Sequence, residues 1–308
     1  MRGGRLDIGI IGMGHVGPVL GSALRAVGHK LVGVSASSEE SRERADALLP
    51  GIPVLPVEEI VRSCELVLLT VPDDQLAGLV SGLGELGAWK ASQLVVHTSG
   101  AHGIEVLAPA TRAGAIPLAI HPAMTFTGTS VDIPRLIGTP FAVTAPAIAL
   151  PIAQALVVEM GGEPFEVSEE DRGVYHAALN HGANFLAAVV AQAKQVLTTV
   201  GIEDPGTFLR PLCEAALDRA LRAGERGISG PIPRGDAGTI RTHLRVLEAK
   251  ALEEDLEGEG QWGQRLREVS KTYASMTLHT VDLLEFEGRI SAPVAQEIRQ
   301  AVRAMDEK

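Results

Sequence analysis

The stretch DIGIIGMGHVG, residues 7–17, decides how the rest of the chain is read. A short apolar run with strand character ends in three glycines, Gly12, Gly14 and Gly17, spaced GxGxxG, and a helical stretch follows. The three glycines do different physical work. The first permits a tight turn out of the strand, the second lets backbone approach a pyrophosphate, and the third lets helix pack closely on strand. A helix starting there also directs unpaired N–H groups at the anion. The spacing predicts a dinucleotide site in which Gly12, Met13, Gly14, His15, Val16 and Gly17 face or shape the diphosphate position. The competing reading is a glycine-rich turn without a ligand, and such turns seldom need three glycines at this spacing.

Working outward, β-branched runs at 30–34, 66–71, 93–97, 116–120 and 140–144 alternate with helical stretches. That is the rhythm of a parallel sheet covered on both faces, so the chain begins with an α/β, Rossmann-type dinucleotide-binding domain, placed at 1–167. A helix at 15–27 links the first two strands and closes at Gly28, a left-handed cap. From 168 to 308 strand-like runs disappear, and the chain reads as an all-helical second domain. Helices are expected at 170–200, 206–223, 237–252, 261–287 and 292–305. In the first of these Val174, Ala178, Phe185, Val189 and Val196 keep approximate helical spacing. Two loops punctuate the series: 224–236, dense in Gly and Pro, and 253–260, acidic and solvated.

Bulk properties narrow the function classes. A chain of 308 residues has room for two cores, and a formal net charge of -11 with no basic patch argues against nucleic acid. Cys64 and Cys213 lie far apart and offer neither a disulfide framework nor metal-ligand spacing, so no metal is expected and a cytoplasmic setting is. Nothing approaches the roughly 18 consecutive apolar residues of a membrane span.

The end of the second strand bears on the cofactor. NAD-binding versions carry an acid there for the adenosine ribose. Here Ser35, Ala36, Ser37 and Ser38 are followed by Arg42 and Arg44, which present hydroxyls and cations to a 2′-phosphate. NADP is expected, with NAD as the alternative. The same serines also suit the cap of the next helix, and the two roles are compatible. Val71, Pro72 and Asp73 end the third strand, and Thr98 and Ser99 end the fourth, along the crevice where open α/β sheets bind ligands. Capping by Asp73 or Asp74 is the plainer reading of the former.

These motifs, at 12–17, 71–74, 97–101 and 121–126, resemble a bacterial family of oxidoreductases that joins a Rossmann-like domain to a helical domain of unknown function. The family is similar to ketopantoate reductase, pyrroline-carboxylate reductase and the 6-phosphogluconate dehydrogenase superfamily. Its second-domain signature matches Tyr175, His176, Ala177, Ala178 and Asn184, and the run from Ser229, Gly230 and Pro231 to Arg234, Gly235 and Asp236. The resemblance implies NADP-dependent hydride transfer to or from a small carbonyl acid, ketopantoate-like in the most specific form, with an imine substrate as the alternative. It also implies a homodimer formed largely by the helical domain. The superfamily's hydroxyacid dehydrogenases place a Lys and an Asn four residues apart on the first long helix of that domain. Asn180 and Asn184 match those positions, so Asn180 stands where the lysine acid would be.

Reduction of a carbonyl or imine needs a proton donor and a group to hold the developing charge. His176, Asn180 and Asn184 recur every four residues and share a broad helix face. His176 is expected as acid/base and Asn184 as the orienting amide, against the plainer reading that they satisfy packing or helix-end hydrogen bonds. His181, about 140° around the helix from His176, ranks lower. His121, before Pro122, is a candidate for substrate binding or proton donation. Arg234 and Asp236 offer a fork for a substrate carboxylate, although Asp236 also suits a helix cap, and His243 is a candidate neighbour. Ser99 sits in HTSGA, which is not a hydrolase elbow. A non-catalytic NADP-binding sensor, and an assembly protein with a vestigial nucleotide fold, stand as the alternatives from other classes.

Overall fold

The computed structural model describes residues 4–256 and 260–306. The first elements are β1 (Asp7–Ile11), α1 (Gly17–Ala26), β2 (Lys30–Ser35), α2 (Glu39–Leu48), α3 (Val57–Ser63), β3 (Leu66–Leu69), α4 (Asp73–Glu85) and β4 (Leu94–His97). They continue with α5 (Ala108–Arg112), β5 (Ile116–Pro122), β6 (Pro140–Thr144), α6 (Leu150–Glu159) and β7 (Glu163–Glu166). The helices α7 (Arg172–Thr199), α8 (Pro205–Ala223), α9 (Ala237–Leu256), α10 (Gly260–Phe286) and α11 (Ala292–Asp306) complete the chain.

The strands form one sheet in the order β2-β1-β3-β4-β5-β6-β7, parallel throughout except for the β5–β6 pair. Alternate residues of the central strands serve two apolar layers. Ile10, Leu68 and Val96 join the layer holding Val19, Leu20 and Leu24 of α1. Ile11, Val67, Leu69 and Val95 join Leu76 and Val80 of α4. Burial on both faces is why these strands read as continuous apolar runs. Gly28, at φ +99°, closes α1 as expected, and the N–H groups of Gly28 and His29 bond back to Arg25 and Leu24.

The edge strand β7 departs from the expectation of a first domain ending its strands at β6. Its sequence, Glu163-Pro164-Phe165-Glu166, carries acids and a proline, as edge strands do, and offers no apolar run to recognise.

The chain divides into two compact units, Met1–Ala183 and Asn184–Lys308. The change of composition at 167 therefore marks the end of the sheet, and the first turns of α7 belong with the sheet's unit. In the second unit Ile240 and Leu244 of α9, Val281 and Leu284 of α10, and Ile298 and Val302 of α11 form the core. The acidic stretch expected as a loop is shorter than its composition suggests, because α9 continues to Leu256 and α10 starts at Gly260, while residues 257–259 lie outside those described. Phe185 and Val189 keep their helical spacing but point outward and are exposed, as are Phe208, Leu212 and Leu221 of α8. Among the described residues no helix is long and apolar enough to cross a membrane.

Candidate functional site

The chain runs from β1 out to β2 and back to β3 on the other side of β1, which creates the crevice where doubly wound sheets take ligands. The glycine turn fills it. Gly12 has φ +106°, and a side chain there would meet the Thr70 carbonyl at 2.7 Å. Gly17 lies so close to the Gly12 carbonyl and to Thr70 that a Cβ has no room. Gly14 is different: a Cβ there meets nothing within 4 Å. Two of the glycines thus serve packing, and the middle one faces the open cleft.

Neighbouring strands hold the turn. The Gly12 N–H donates to the Ser35 carbonyl at 3.2 Å, and the Thr70 hydroxyl donates to the Gly12 carbonyl at 2.6 Å. Val16 starts α1 without a side-chain cap, and the first turn contains no acid. An anion therefore meets no competing carboxylate from that turn.

The resulting cleft, about 520 Å³, brings together most of the residues expected from sequence. Met13, Gly14, His15 and Val16 line one side, Ser37 and Ser38 the end of β2, and Val71, Pro72, Asp73, Thr98 and Ser99 the ends of β3 and β4. Two expected residues contribute differently: Gly17 packs behind the turn, and Ser35 acts through its backbone carbonyl. Ser38 also caps α2, its hydroxyl accepting from the Ser41 N–H at 3.2 Å while the Ser38 N–H donates to the Ser41 hydroxyl. Thr70, at the end of the same strand run as Val71, also lines the cleft, as do Ser41 and Gln75, which sequence reasoning left out. Of the two arginines near β2, Arg44 lines it, with Nε donating to the Met13 carbonyl at 3.2 Å.

Behind Ser99 the HTSGA segment is organised by His97, which is fully buried. Its Nδ1 accepts from the Ser99 N–H, so its proton lies on Nε2 and is donated to the Gly103 carbonyl at 2.8 Å. Burial pushes its pKa down to about 4. The folded protein therefore holds His97 neutral while the unfolded chain, near 6.5, takes up a proton first as pH falls. The associated stability is complete above about pH 6.5 and is lost as pH falls toward about 4, with roughly 2 kcal/mol gone at pH 5. Denaturant unfolding is expected to give a lower free energy at pH 5 than at pH 7, and His97→Gln is expected to flatten that slope. An unchanged slope in the variant would remove His97 from the account.

Next to it lies a group that sequence reading only partly anticipated. Arg172, the first residue of α7, is 1% exposed. Its guanidinium donates to the carbonyls of Ser99, Ala119 and Ala142 and to the Thr144 hydroxyl at 2.8–3.3 Å, which are all neutral acceptors. One turn on, the Tyr175 hydroxyl lies 2.8 Å from His121 Nδ1, and the His121 and His176 rings are 6.2 Å apart, edge to face. Burial first, and then the charges of Arg172 and His176, lower the His121 pKa to about 4. The structure thus joins His121 and His176, expected separately, and adds Arg172 and Tyr175.

Asn180 is half-buried on the same helix and Asn184 is exposed, the latter at the start of the second unit. In that unit Asp236 caps α9, accepting from the Thr239 N–H at 2.9 Å and from its hydroxyl at 2.6 Å. Arg234 is exposed, and His243 Nδ1 lies 2.8 Å from the Tyr273 hydroxyl. Among the described residues no three His, Cys, Asp or Glu side chains are grouped to hold a metal ion.

Residues 1–122 match a Rossmann-like domain and residues 139–278 match a domain of unknown function (DUF2520). The chain joins a Rossmann-like domain to a DUF2520 domain. Solved structures share the fold. A provisionally assigned NADP oxidoreductase from Bacteroides fragilis is 22% identical with a TM-score of 0.67, covering 87% of this chain and 98% of its own. An imine reductase from Streptomyces aurantiacus is 17% identical with a TM-score of 0.58, covering 98% and 100%. A Plasmodium falciparum pyrroline carboxylate reductase with NADP bound is 11% identical with a TM-score of 0.51, covering 89% and 100%. No curated protein matches the chain.

Proposed function

We propose that this protein is an NADP-dependent oxidoreductase that transfers a hydride to or from a small carbonyl acid, ketopantoate-like in size and charge. The carrying observation is the glycine turn at the β1/β3 crossover, with Gly14 open to a cleft whose far wall holds Ser37, Ser38 and Arg44 and no carboxylate at the end of β2. NADP supplies the hydride. Backbone around Gly12 to Gly17 holds the diphosphate, and Ser37, Ser38 and Arg44 receive the 2′-phosphate. Val71, Pro72, Asp73, Thr98 and Ser99 flank the nicotinamide end. His121 and His176 stand on the substrate side, with Asn180 and Asn184 as amides that orient the substrate, and Arg234 and Asp236 in the carboxylate-binding loop.

The choice of a carbonyl acid over an imine rests on charge. Arg172 is a buried cation whose four hydrogen-bond acceptors are neutral, so it leaves positive potential around His121. That potential attracts a carboxylate and opposes a protonated imine.

Two copies associate in this reading through the outward apolar residues of α7 and α8, Phe185, Val189, Phe208, Leu212 and Leu221. Calorimetric titration tests the cofactor assignment. NADP is expected to bind at least tenfold more tightly than NAD, and Arg44→Ala to lose about tenfold for NADP while NAD affinity stays within about twofold. Sedimentation of the same samples is expected to give a dimer. Equal loss for both cofactors would place Arg44 away from the 2′-phosphate, and no binding of either would end the oxidoreductase reading.

A further inference from the structure

We propose that His121 delivers the proton of the reduction from Nε2 and regains one at Nδ1 from Tyr175. This rests on the reductase reading above and adds to it the proton path. The geometry carries it. The Tyr175 hydroxyl is 2.8 Å from His121 Nδ1, with the rings edge to face at 84° and 5.6 Å apart. His121 is the penultimate residue of β5, beside the end of β4 that supplies Thr98 and Ser99 to the cleft. Gly100 packs against both histidines: a Cβ there would lie 2.9 Å from His121 Nε2 and 2.8 Å from His176 Cδ2. A residue without a side chain at that position keeps the Nε2 edge from being covered.

The proton inventory follows from the partners. The groups that act on His121 are Arg172, His176 and Asp73, and burial first, then the Arg172 cation, keep the imidazole neutral at neutral pH. Burial also raises the Tyr175 pKa, so the phenol keeps its proton in the resting protein and donates it to Nδ1, which leaves the single ring proton on Nε2. During reduction the carbonyl π bond breaks as carbon gains the hydride and oxygen gains the Nε2 proton. The N–H bond at Nε2 breaks, a new one forms at Nδ1, and the phenol O–H breaks to leave phenolate. An alkoxide is far more basic than a phenolate, so the transfer runs downhill. The Arg172 cation, three residues back on α7, favours the ionised phenol. After product leaves, a solvent proton enters at Nε2 and the Nδ1 proton returns to the phenolate, which restores the resting tautomer. His121 is the catalytic group here, and Tyr175 and Arg172 are positioning residues.

Nitrogen NMR of histidine-labelled protein tests the dyad without any substrate. The expected result is a neutral His121 as the Nε2–H tautomer from about pH 5 upward, with an Nδ1 resonance shifted by an accepted hydrogen bond that moves toward the free value in Tyr175→Phe. The chain has two tyrosines, so carbon labelling at Cζ resolves Tyr175 directly by comparison with the same variant. In parallel, a panel of small 2-oxo acids is assayed with NADPH. Tyr175→Phe and His121→Gln are each expected to lower kcat about a hundredfold with NADPH affinity within about twofold, and Tyr175→Phe to change the pH profile. An Nδ1–H tautomer, an Nδ1 resonance indifferent to Tyr175→Phe, or an unchanged kcat in that variant overturns the proposal. A parent protein that binds no NADPH instead overturns the reductase reading.

Discussion

A Gly14→Val variant is expected to lose at least about a hundredfold in NADP affinity while unfolding at nearly the temperature of the parent. The two halves of this result have separate causes. Within the protein the new side chain meets nothing, since a Cβ at this position has no neighbour within 4 Å. What it enters is the space a diphosphate needs in order to reach the backbone N–H groups at the start of α1. Keeping the anion away forfeits charge-assisted hydrogen bonds worth about 1.5–3 kcal/mol each, so losing one or two accounts for the expected factor. Gly12→Val is the contrasting control, because its φ of +106° and the 2.7 Å approach to the Thr70 carbonyl make it destabilising before any ligand arrives. Calorimetric titration and thermal unfolding on the same samples separate the two effects. Undiminished NADP binding by Gly14→Val would remove the diphosphate from this turn.

Replacing Arg172 by leucine is expected to cost about 4 kcal/mol of stability, the range for breaking a buried charged network by removing one partner. The guanidinium joins the segment after β4 to β5 and β6, through the carbonyls of Ser99, Ala119 and Ala142 and the Thr144 hydroxyl. Leucine fills part of the volume and leaves those acceptors without their donor in a region closed to water. Relief of the buried charge offsets some of this loss. Arg172→Lys is expected to recover only part of it, because one ammonium cannot copy a planar fork. Urea unfolding midpoints measure the difference, and a midpoint equal to that of the parent would show that other groups satisfy the carbonyls.

What the sequence disclosed, and what it withheld, follows from which forces act locally. Strands β1 and β6 could be bounded from residue pattern because burial on the sheet leaves uninterrupted apolar runs, whereas β7 carries Glu163, Pro164 and Glu166 at an edge where pairing needs no such run. The cleft was legible wherever backbone geometry demanded glycine or a strand ended in hydroxyls. Choosing Arg44 over Arg42 required seeing which face of α2 turns to Met13. Arg172 was opaque for a different reason. A charged residue at the start of a helix ordinarily reads as solvated, and its burial arises only when three separate segments close around it. Helical periodicity likewise put His176, Asn180 and Asn184 on one face, but spacing along a helix does not report that Tyr175 and His121 meet.

The pin between Thr70 and Gly12 has a consequence for the speed of cofactor capture. Because neighbouring strands already fix the turn through the Gly12 N–H and carbonyl, its shape is set when the domain folds. In the proposed reading an arriving dinucleotide need not wait for a loop to organise, so encounter in solution, not rearrangement of this turn, is expected to govern the association rate at the diphosphate end.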